Sequence, residues 1–166
     1  MEAILIDAFE FSRLGQSRSG EFAIADLPRL AAEVVKPSGV VRWSLTGGKH
    51  AQGYPQLTVV VSGSVQLMCQ RCLTPYELGI DVESVLVLAQ DEAGADELEA
   101  SLDDETLEVI AGSRQFNVTD LVEDEALLAL PLSPRHDACP ESSRQESDLG
   151  SAKAPSPFGS LKDWKR

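Results

Sequence analysis

The chain has 166 residues, of which 43% are hydrophobic and only 5% aromatic, so we expect one domain with a mainly aliphatic core. No apolar run approaches the roughly 18–20 residues that a membrane-spanning helix needs, and the N-terminus lacks the pattern of a secretory signal, which predicts a cytoplasmic protein. The formal net charge is −13, and the segment from Asp81 to Leu130 holds fifteen acidic residues and one basic residue, Arg114, so it carries −14 and the remaining chain +1.

A negative surface this concentrated repels phosphate groups and attracts basic partners. The charge distribution therefore argues against direct binding of a nucleic acid backbone. A simpler interpretation remains open, in which the acidic residues only keep the protein soluble.

The N-terminal part of the chain predicts one helix. Residues 1–25 have weak periodicity, and their glycines and serines indicate a loop at 15–20. A helix is expected to begin at Asp26-Leu27-Pro28, with Asp26 as its cap, because apolar residues follow at helical spacing. The sequence Lys-Pro-Ser-Gly at 36–39 ends this helix.

The middle of the chain is rich in β-branched residues and predicts several strands. A turn is expected at Gly63-Ser64, and the acidic segment 91–104 predicts an exposed, mobile loop. Strands that follow one another this closely favour an antiparallel meander. The candidate strands are Val40–Leu45, Gln56–Ser62, Val65–Met68, Tyr76–Gln90 and Leu107–Ala111.

A second helix is predicted from about Val118 to Leu130. Asn117 is its expected N-cap, Asp120 stands at the capping-box position, and Phe116 and Leu121 occupy the hydrophobic-staple positions. A proline at position 131 ends the helix. The fold class is therefore α+β, an antiparallel sheet with one or two packed helices.

The predicted domain covers residues 1–140. Residues 141–157 are rich in Ser, Pro, Gly and charged side chains, which predicts disorder. The tail of residues 141–166 is thus expected to be flexible, but its last ten residues are basic and aromatic, a composition able to dock on a partner or on the acidic body.

Two short motifs could hold a metal ion. One is the pair Cys69-x2-Cys72, and the other is His136-x2-Cys139, with 63 residues between the pairs. Three thiols and one imidazole suit tetrahedral zinc, so we expect a structural zinc site if the fold brings the pairs together. Otherwise they are a free thiol pair and an unrelated His and Cys. A redox dithiol is disfavoured, because a strand rather than a helix follows the first pair.

The second helix places a carboxylate on its apolar side. At about 100° per residue, Glu125 falls within the stripe formed by the apolar residues, whereas Asp120, Glu123 and Asp124 face elsewhere. A carboxylate in that position needs a hydrogen-bonding or charged partner. Two interpretations stay open: Glu125 is paired internally, with an arginine such as Arg71 or with donors near the Cys69 turn, or the face binds another molecule.

Enzyme signatures are missing from the sequence. The segment Gly47-Gly48-Lys49-His50 lacks the spacing of a phosphate-binding loop, no G-x-S-x-G elbow occurs, and the two histidines stand in no triad pattern. We therefore expect a binding protein that is not an enzyme and has no catalytic residues.

Several of these motifs together resemble the YceD family of large ribosomal RNA subunit accumulation proteins. The resemblance implies a role in the synthesis, processing or stability of the large-subunit (23S) ribosomal RNA. The motifs that carry it are Cys69-x2-Cys72, Leu121-Val122-Glu123-Asp124-Glu125-x-Leu127-Leu128-Ala129-Leu130-Pro131, Pro134-x-His136 with Cys139, and an ending of Pro-x-Pro-Phe before a basic Leu-Lys piece.

Combined with the charge distribution, this resemblance gives a functional hypothesis. The acidic face is expected to hold a basic ribosomal protein or a large-subunit assembly intermediate, with an indirect effect on the RNA. The candidate partner-binding residues are Glu123, Asp124, Glu125 and Arg71. Two rivals remain: a zinc module that binds ribosomal RNA directly through Arg71 and Arg42, and an RNA-processing enzyme.

Overall fold

Alternating apolar and polar residues build three long strands at the centre of the fold. The computed structural model describes residues 3–102 and 107–140. The strands are β1 (Leu5–Ile6), β2 (Ser17–Ala23), β3 (Val40–Lys49), β4 (Pro55–Met68), β5 (Pro75–Ala89), β6 (Glu108–Ala111) and β7 (Phe116–Asn117). The helices are α1 (Ala8–Arg13), α2 (Pro28–Glu33), α3 (Glu92–Ser101) and α4 (Val118–Leu128).

The main sheet has the strand order β2-β3-β4-β5-β6, and β1 pairs with β7 in a separate two-stranded ribbon. Strands β2 to β5 form the antiparallel meander that the sequence predicts. Strand β6 lies parallel to the last four residues of β5, Leu86 to Ala89, and the connection between the two strands contains α3, as parallel pairs require a crossover. The predicted α+β class is confirmed, with one parallel pair added.

Three local predictions are wrong. Gly63 and Ser64 form no turn, because β4 runs through them and Gly63 pairs with Val41 on one side and Ile80 on the other. The segment expected to be a loop contains α3, which Asp91 caps by accepting a hydrogen bond from the Gly94 amide at 2.8 Å. The N-terminal 25 residues, where a loop is predicted at 15–20, contain β1, α1 and all of β2.

The core lies on one face of the sheet and is covered by α1, α2 and α4. Inward residues alternate along β3 and β4, as expected for a sheet with one packed face. Helix α4 contributes Val118, Val122 and Ala126 to the same cluster. The side chains that bury completely in the strands include Val41, Leu45, Leu57, Val59 and Val61. Each stabilises the fold by about 1.5–3 kcal/mol relative to an exposed position.

Close packing of α1 on the sheet requires a glycine in β3. A Cβ atom on Gly47 would lie 2.8 Å from the Phe11 carbonyl carbon and equally close to Ser12 Cα, both backbone atoms that cannot rotate away. The helix can approach this closely only because position 47 has no side chain.

We expect Gly47→Ala to lower the free energy of unfolding by about 2 kcal/mol, since overpacking forces backbone shifts. The neighbouring substitution Gly48→Ala is the matched control, because no atom lies within 4 Å of its added Cβ. Urea unfolding of both variants measures the difference. Equal midpoints for Gly47→Ala and Gly48→Ala would contradict this packing.

Candidate metal centre and acidic helix

The first cysteine pair lies in a tight turn between β4 and β5. The Cys69 amide donates to the Thr74 carbonyl at 3.1 Å, and the Leu73 amide donates to the Cys69 carbonyl at 2.9 Å. Leu73 has a φ of 57°, a left-handed conformation that costs a branched residue free energy. The turn therefore holds both thiols on one side at the expense of local strain.

The second pair, His136 and Cys139, lies in the segment that follows α4. After α4 ends at Leu128, the chain crosses the cysteine turn, where the Gln70 amide donates to the Pro134 carbonyl at 2.9 Å. The Ser133 hydroxyl donates to the Gln70 side chain at 3.1 Å. These two hydrogen bonds position the segment that carries His136 and Cys139.

The four predicted metal ligands meet at this crossing. Sγ of Cys69, Cys72 and Cys139 and a ring nitrogen of His136 all lie within 4.8 Å of one another. Sγ of Cys69 and Cys139 are 3.8 Å apart, and Sγ of Cys72 is 3.3 Å from His136 Nδ1. A tetrahedral zinc site with Zn–S bonds of about 2.3 Å needs sulfurs about 3.8 Å apart. The arrangement therefore fits zinc in donor type, number and spacing.

Hydrogen bonds prepare two of the thiols for metal binding. Burial raises the pKa of Cys69, but hydrogen bonds from the backbone of His136, Cys72 and Arg71 outweigh it and lower the pKa to about 5. The Thr74 hydroxyl lowers the pKa of Cys72. Since metals bind thiolates and not thiols, two ligands lose their protons at little cost.

Arg71 contacts the candidate metal ligands and not α4. Its Nε donates to Cys139 Sγ at 2.9 Å, and its Nη2 donates to the His136 carbonyl at 3.2 Å. The bond to Cys139 raises the pKa of Arg71. With a divalent cation bound, three thiolates would leave one net negative charge, which this guanidinium would balance. The predicted pairing of Arg71 with Glu125 is wrong.

Glu125 instead accepts a hydrogen bond of 2.6 Å from the hydroxyl of Ser84 in β5. The prediction that this carboxylate lies on the buried side of the helix is confirmed, because Glu125 is only 4% exposed. Its partner could not be read from the sequence, since Ser84 is one of several polar residues that alternate along a strand.

Glu123 is also buried, contrary to the helical-wheel prediction. One carboxylate oxygen accepts from the backbone amides of Arg29 and Leu30, at 2.7 and 3.1 Å, and the other from Arg29 Nε at 2.9 Å. It thereby caps α2, whose own N-cap residue, Leu27, has no side-chain acceptor. The predicted cap, Asp26, does not serve, because it lies in a 3-10 turn before the helix.

Asp124 lies on the exposed side of α4. Its carboxylate forms an ion pair with Arg29 Nη1, and about half of its side chain is exposed. Among the candidate partner-binding acids, the structure thus leaves Asp124 at the surface and places Glu123 and Glu125 inside. Arg29 is the residue that sequence reasoning missed, and only its position beside α4 identifies its role.

The predicted acidic surface is present in the described chain. Of the fifteen acids between 81 and 130, ten are exposed, Glu123 and Glu125 are buried, and three lie at 103–105, outside the described residues. Burial raises the pKa of Glu108, and the Glu125 and Asp124 carboxylates raise it further.

The two arginines proposed to bind RNA lie far apart. Arg42 pairs in register with Ser62 and forms an ion pair with Glu21. Ser62 precedes Cys69 by seven residues along the sheet, or about 23 Å at a strand's rise of about 3.3 Å per residue. Arg42 and Arg71 therefore do not form one basic patch at the metal centre.

Comparisons with known proteins agree with the sequence motifs. The pattern of the family "Large ribosomal RNA subunit accumulation protein YceD" matches residues 57–165. A protein of that name from Haemophilus influenzae is 35% identical over 161 residues, an alignment that covers 89% of this chain and 86% of the relative. No solved structure matches. Within the described residues, none of the helices has the length and apolarity to cross a membrane.

Proposed function

Because the chain belongs to the YceD family of large ribosomal RNA subunit accumulation proteins, we propose that it supports that RNA by holding a basic ribosomal protein on its acidic surface. It acts as a binding protein in the cytoplasm and not as an enzyme. The partner is a ribosomal protein, free or within a large-subunit assembly intermediate. The effect on ribosomal RNA is indirect.

One observation carries the proposal: ten exposed carboxylates lie in the segment 81–130, whose only basic residue is Arg114. Attraction to a cationic protein over such a surface speeds association and depends on salt. The same surface repels a polyanion, which loses no counterions on approach. Asp124 remains the candidate on α4 for contact with the partner, since Glu123 and Glu125 are buried and hydrogen-bonded within the protein.

We also propose that Cys69, Cys72, His136 and Cys139 hold a structural zinc ion. Zinc at a closed four-ligand site stabilises the fold and supplies no open position for a substrate. Here it would tie the segment after α4 to the β4–β5 turn, with Arg71 balancing the charge. The metal centre therefore supports the acidic helix and has no catalytic role.

Affinity capture of the tagged chain tests the partner. We expect nuclease-treated lysate to yield basic ribosomal proteins at low salt, because RNA is not the bridge. Recovery should fall steeply as salt shortens the Debye length from about 10 Å at 0.1 M to about 3 Å at 1 M. Mass spectrometry and RNA sequencing of the same eluate identify what was captured.

A pair of charge-reversal variants provides the control. Glu83→Lys with Glu97→Lys changes two exposed acids of the acidic surface, and Asp26→Lys with Glu33→Lys makes the same charge change outside it. The first should reduce recovery at least as much as raised salt does, and the second should not. Salt-resistant capture of naked ribosomal RNA, with no ribosomal protein, would overturn the proposal.

A further inference from the structure

A groove of about 310 Å³ runs between β6 and the outward side of α4. Leu121 and Leu128 form part of its apolar wall and recur at helical spacing. Leu128 is 73% exposed, although an apolar side chain of this size is stabilised by burial. We call this feature the α4 groove, defined by Glu108, Asp120, Leu121, Asp124 and Leu128.

Carboxylates form the rim of the α4 groove. Glu108, Asp120 and Asp124 all line it, and of these only Asp124 has a cationic partner within residues 3–102 and 107–140. Glu108 experiences repulsion from the carboxylates of α4. An incoming cation would relieve that repulsion, so the groove suits a ligand with positive charge beside an apolar or aromatic group.

The chain itself carries a segment of this chemistry. Residues 157–166 contain three basic residues and one acidic residue, interleaved with Phe158, Leu161 and Trp164. The larger groove beside the metal centre presents Arg71 and Arg135 beside Glu77 and Asp137, so its lining has no excess of negative charge. The groove beside α3 is lined by two carboxylates, Asp91 and Glu97, whereas four carboxylates and no basic side chain line the α4 groove. Charge complementarity therefore favours the α4 groove.

The intervening chain is long enough to reach the groove. Residues 141–156 form a 16-residue connection after the last described residue, Pro140, and a flexible chain of that length has a mean span of about 22 Å. A domain of this size has a radius of gyration of about 14 Å. The family match extends to residue 165, so the ending belongs to the family's pattern.

We propose that residues 157–166 dock in the α4 groove of the same molecule, with the aromatic side chains against Leu121 and Leu128 and the basic side chains beside Glu108 and Asp120. The contact does not depend on the proposed function and persists in purified protein. Its autoinhibitory consequence rests on the proposed function, because a basic partner that binds at this groove has to displace the chain's own ending.

Tryptophan fluorescence of the full chain tests the docking. The protein has two tryptophans, and Trp43 is 4% exposed, so the difference between the native chain and Trp164→Phe reports on Trp164. Tethering gives an effective concentration of about 1 mM, at which we expect acrylamide to quench Trp164 about fivefold less than in a free peptide of residues 157–166. The protection should disappear at high salt.

Charge variants assign the protection to the groove. Glu108→Lys with Asp120→Lys should make Trp164 as accessible as in the peptide, and adding Lys162→Glu and Lys165→Glu should restore protection. The variant Glu83→Lys with Glu97→Lys is the matched control. It should leave the protection of Trp164 intact, although it weakens partner capture. Circular dichroism confirms that each variant folds. Peptide-like quenching in the native chain, or equal loss in both double variants, would overturn the proposal.

Discussion

Replacing Cys69 with Ser is expected to abolish zinc binding and to lower the free energy of unfolding by about 4 kcal/mol, the stabilisation that a ligand at about 1,000 times its Kd provides. Cys69 is fully buried between the two motif segments, so a hydroxyl there can neither bind zinc well nor reach solvent. Elemental analysis and thermal unfolding with and without a chelator measure both effects. The native chain should contain one zinc ion and lose stability with the chelator.

Two further substitutions separate ligands from neighbours. Asp137 lies between His136 and Cys139 but contributes no ligand atom. The Asp137→Asn variant should therefore retain the metal and the native stability. Arg71→Ala should retain zinc with an affinity about 10-fold to 100-fold lower, the usual cost of losing a group that hydrogen-bonds a metal ligand. A native chain without zinc, whose unfolding is unchanged by chelator, would refute the site.

Replacing Glu123 with Ala is expected to destabilise the protein by about 3–4 kcal/mol. The substitution removes the acceptor for two backbone amides, those of Arg29 and Leu30, and each buried donor left unsatisfied costs about 1–3 kcal/mol. It also removes the ion pair with Arg29. Urea unfolding followed by circular dichroism measures the loss.

Two variants show whether the loss comes from capping α2. Glu123→Gln retains one acceptor oxygen and should cost less than Glu123→Ala. Asp124→Asn removes an ion pair whose two side chains are about half exposed, and such surface pairs contribute at most about 1 kcal/mol. If Asp124→Asn proved as destabilising as Glu123→Ala, the helix cap would not be the cause.

The metal-ligand set shows how far a motif can predict a site. The spacing of Cys69-x2-Cys72 and His136-x2-Cys139, with their donor types, was enough to name the four residues that the structure brings together. Their neighbours were not predictable. The pairing of Arg71 with Glu125 is a wrong prediction, because a sequence shows that a buried carboxylate needs a partner and not which element supplies it.

Helix α4 shows the same division. Asn117 was correctly named as its N-cap, since capping depends on residues within the first turn. The prediction of which side of α4 is buried is only partly correct. A second helix, α2, packs beside α4, and Glu123 of α4 caps it. The prediction that residues 141–166 form a flexible tail concerns a part of the chain outside the described residues.

By itself, the sequence determined the α+β class, the antiparallel meander, the limits of α4 to within two residues, the acidic surface and the four Cys and His residues that the structure brings together. Each follows from local periodicity, capping, charge or donor type. Only the tertiary structure decided the partners of Glu123 and Glu125, the role of Arg71, the parallel strand β6 and the α4 groove. These features join residues far apart in the chain, and the chemistry of one segment does not specify which distant segment packs against it.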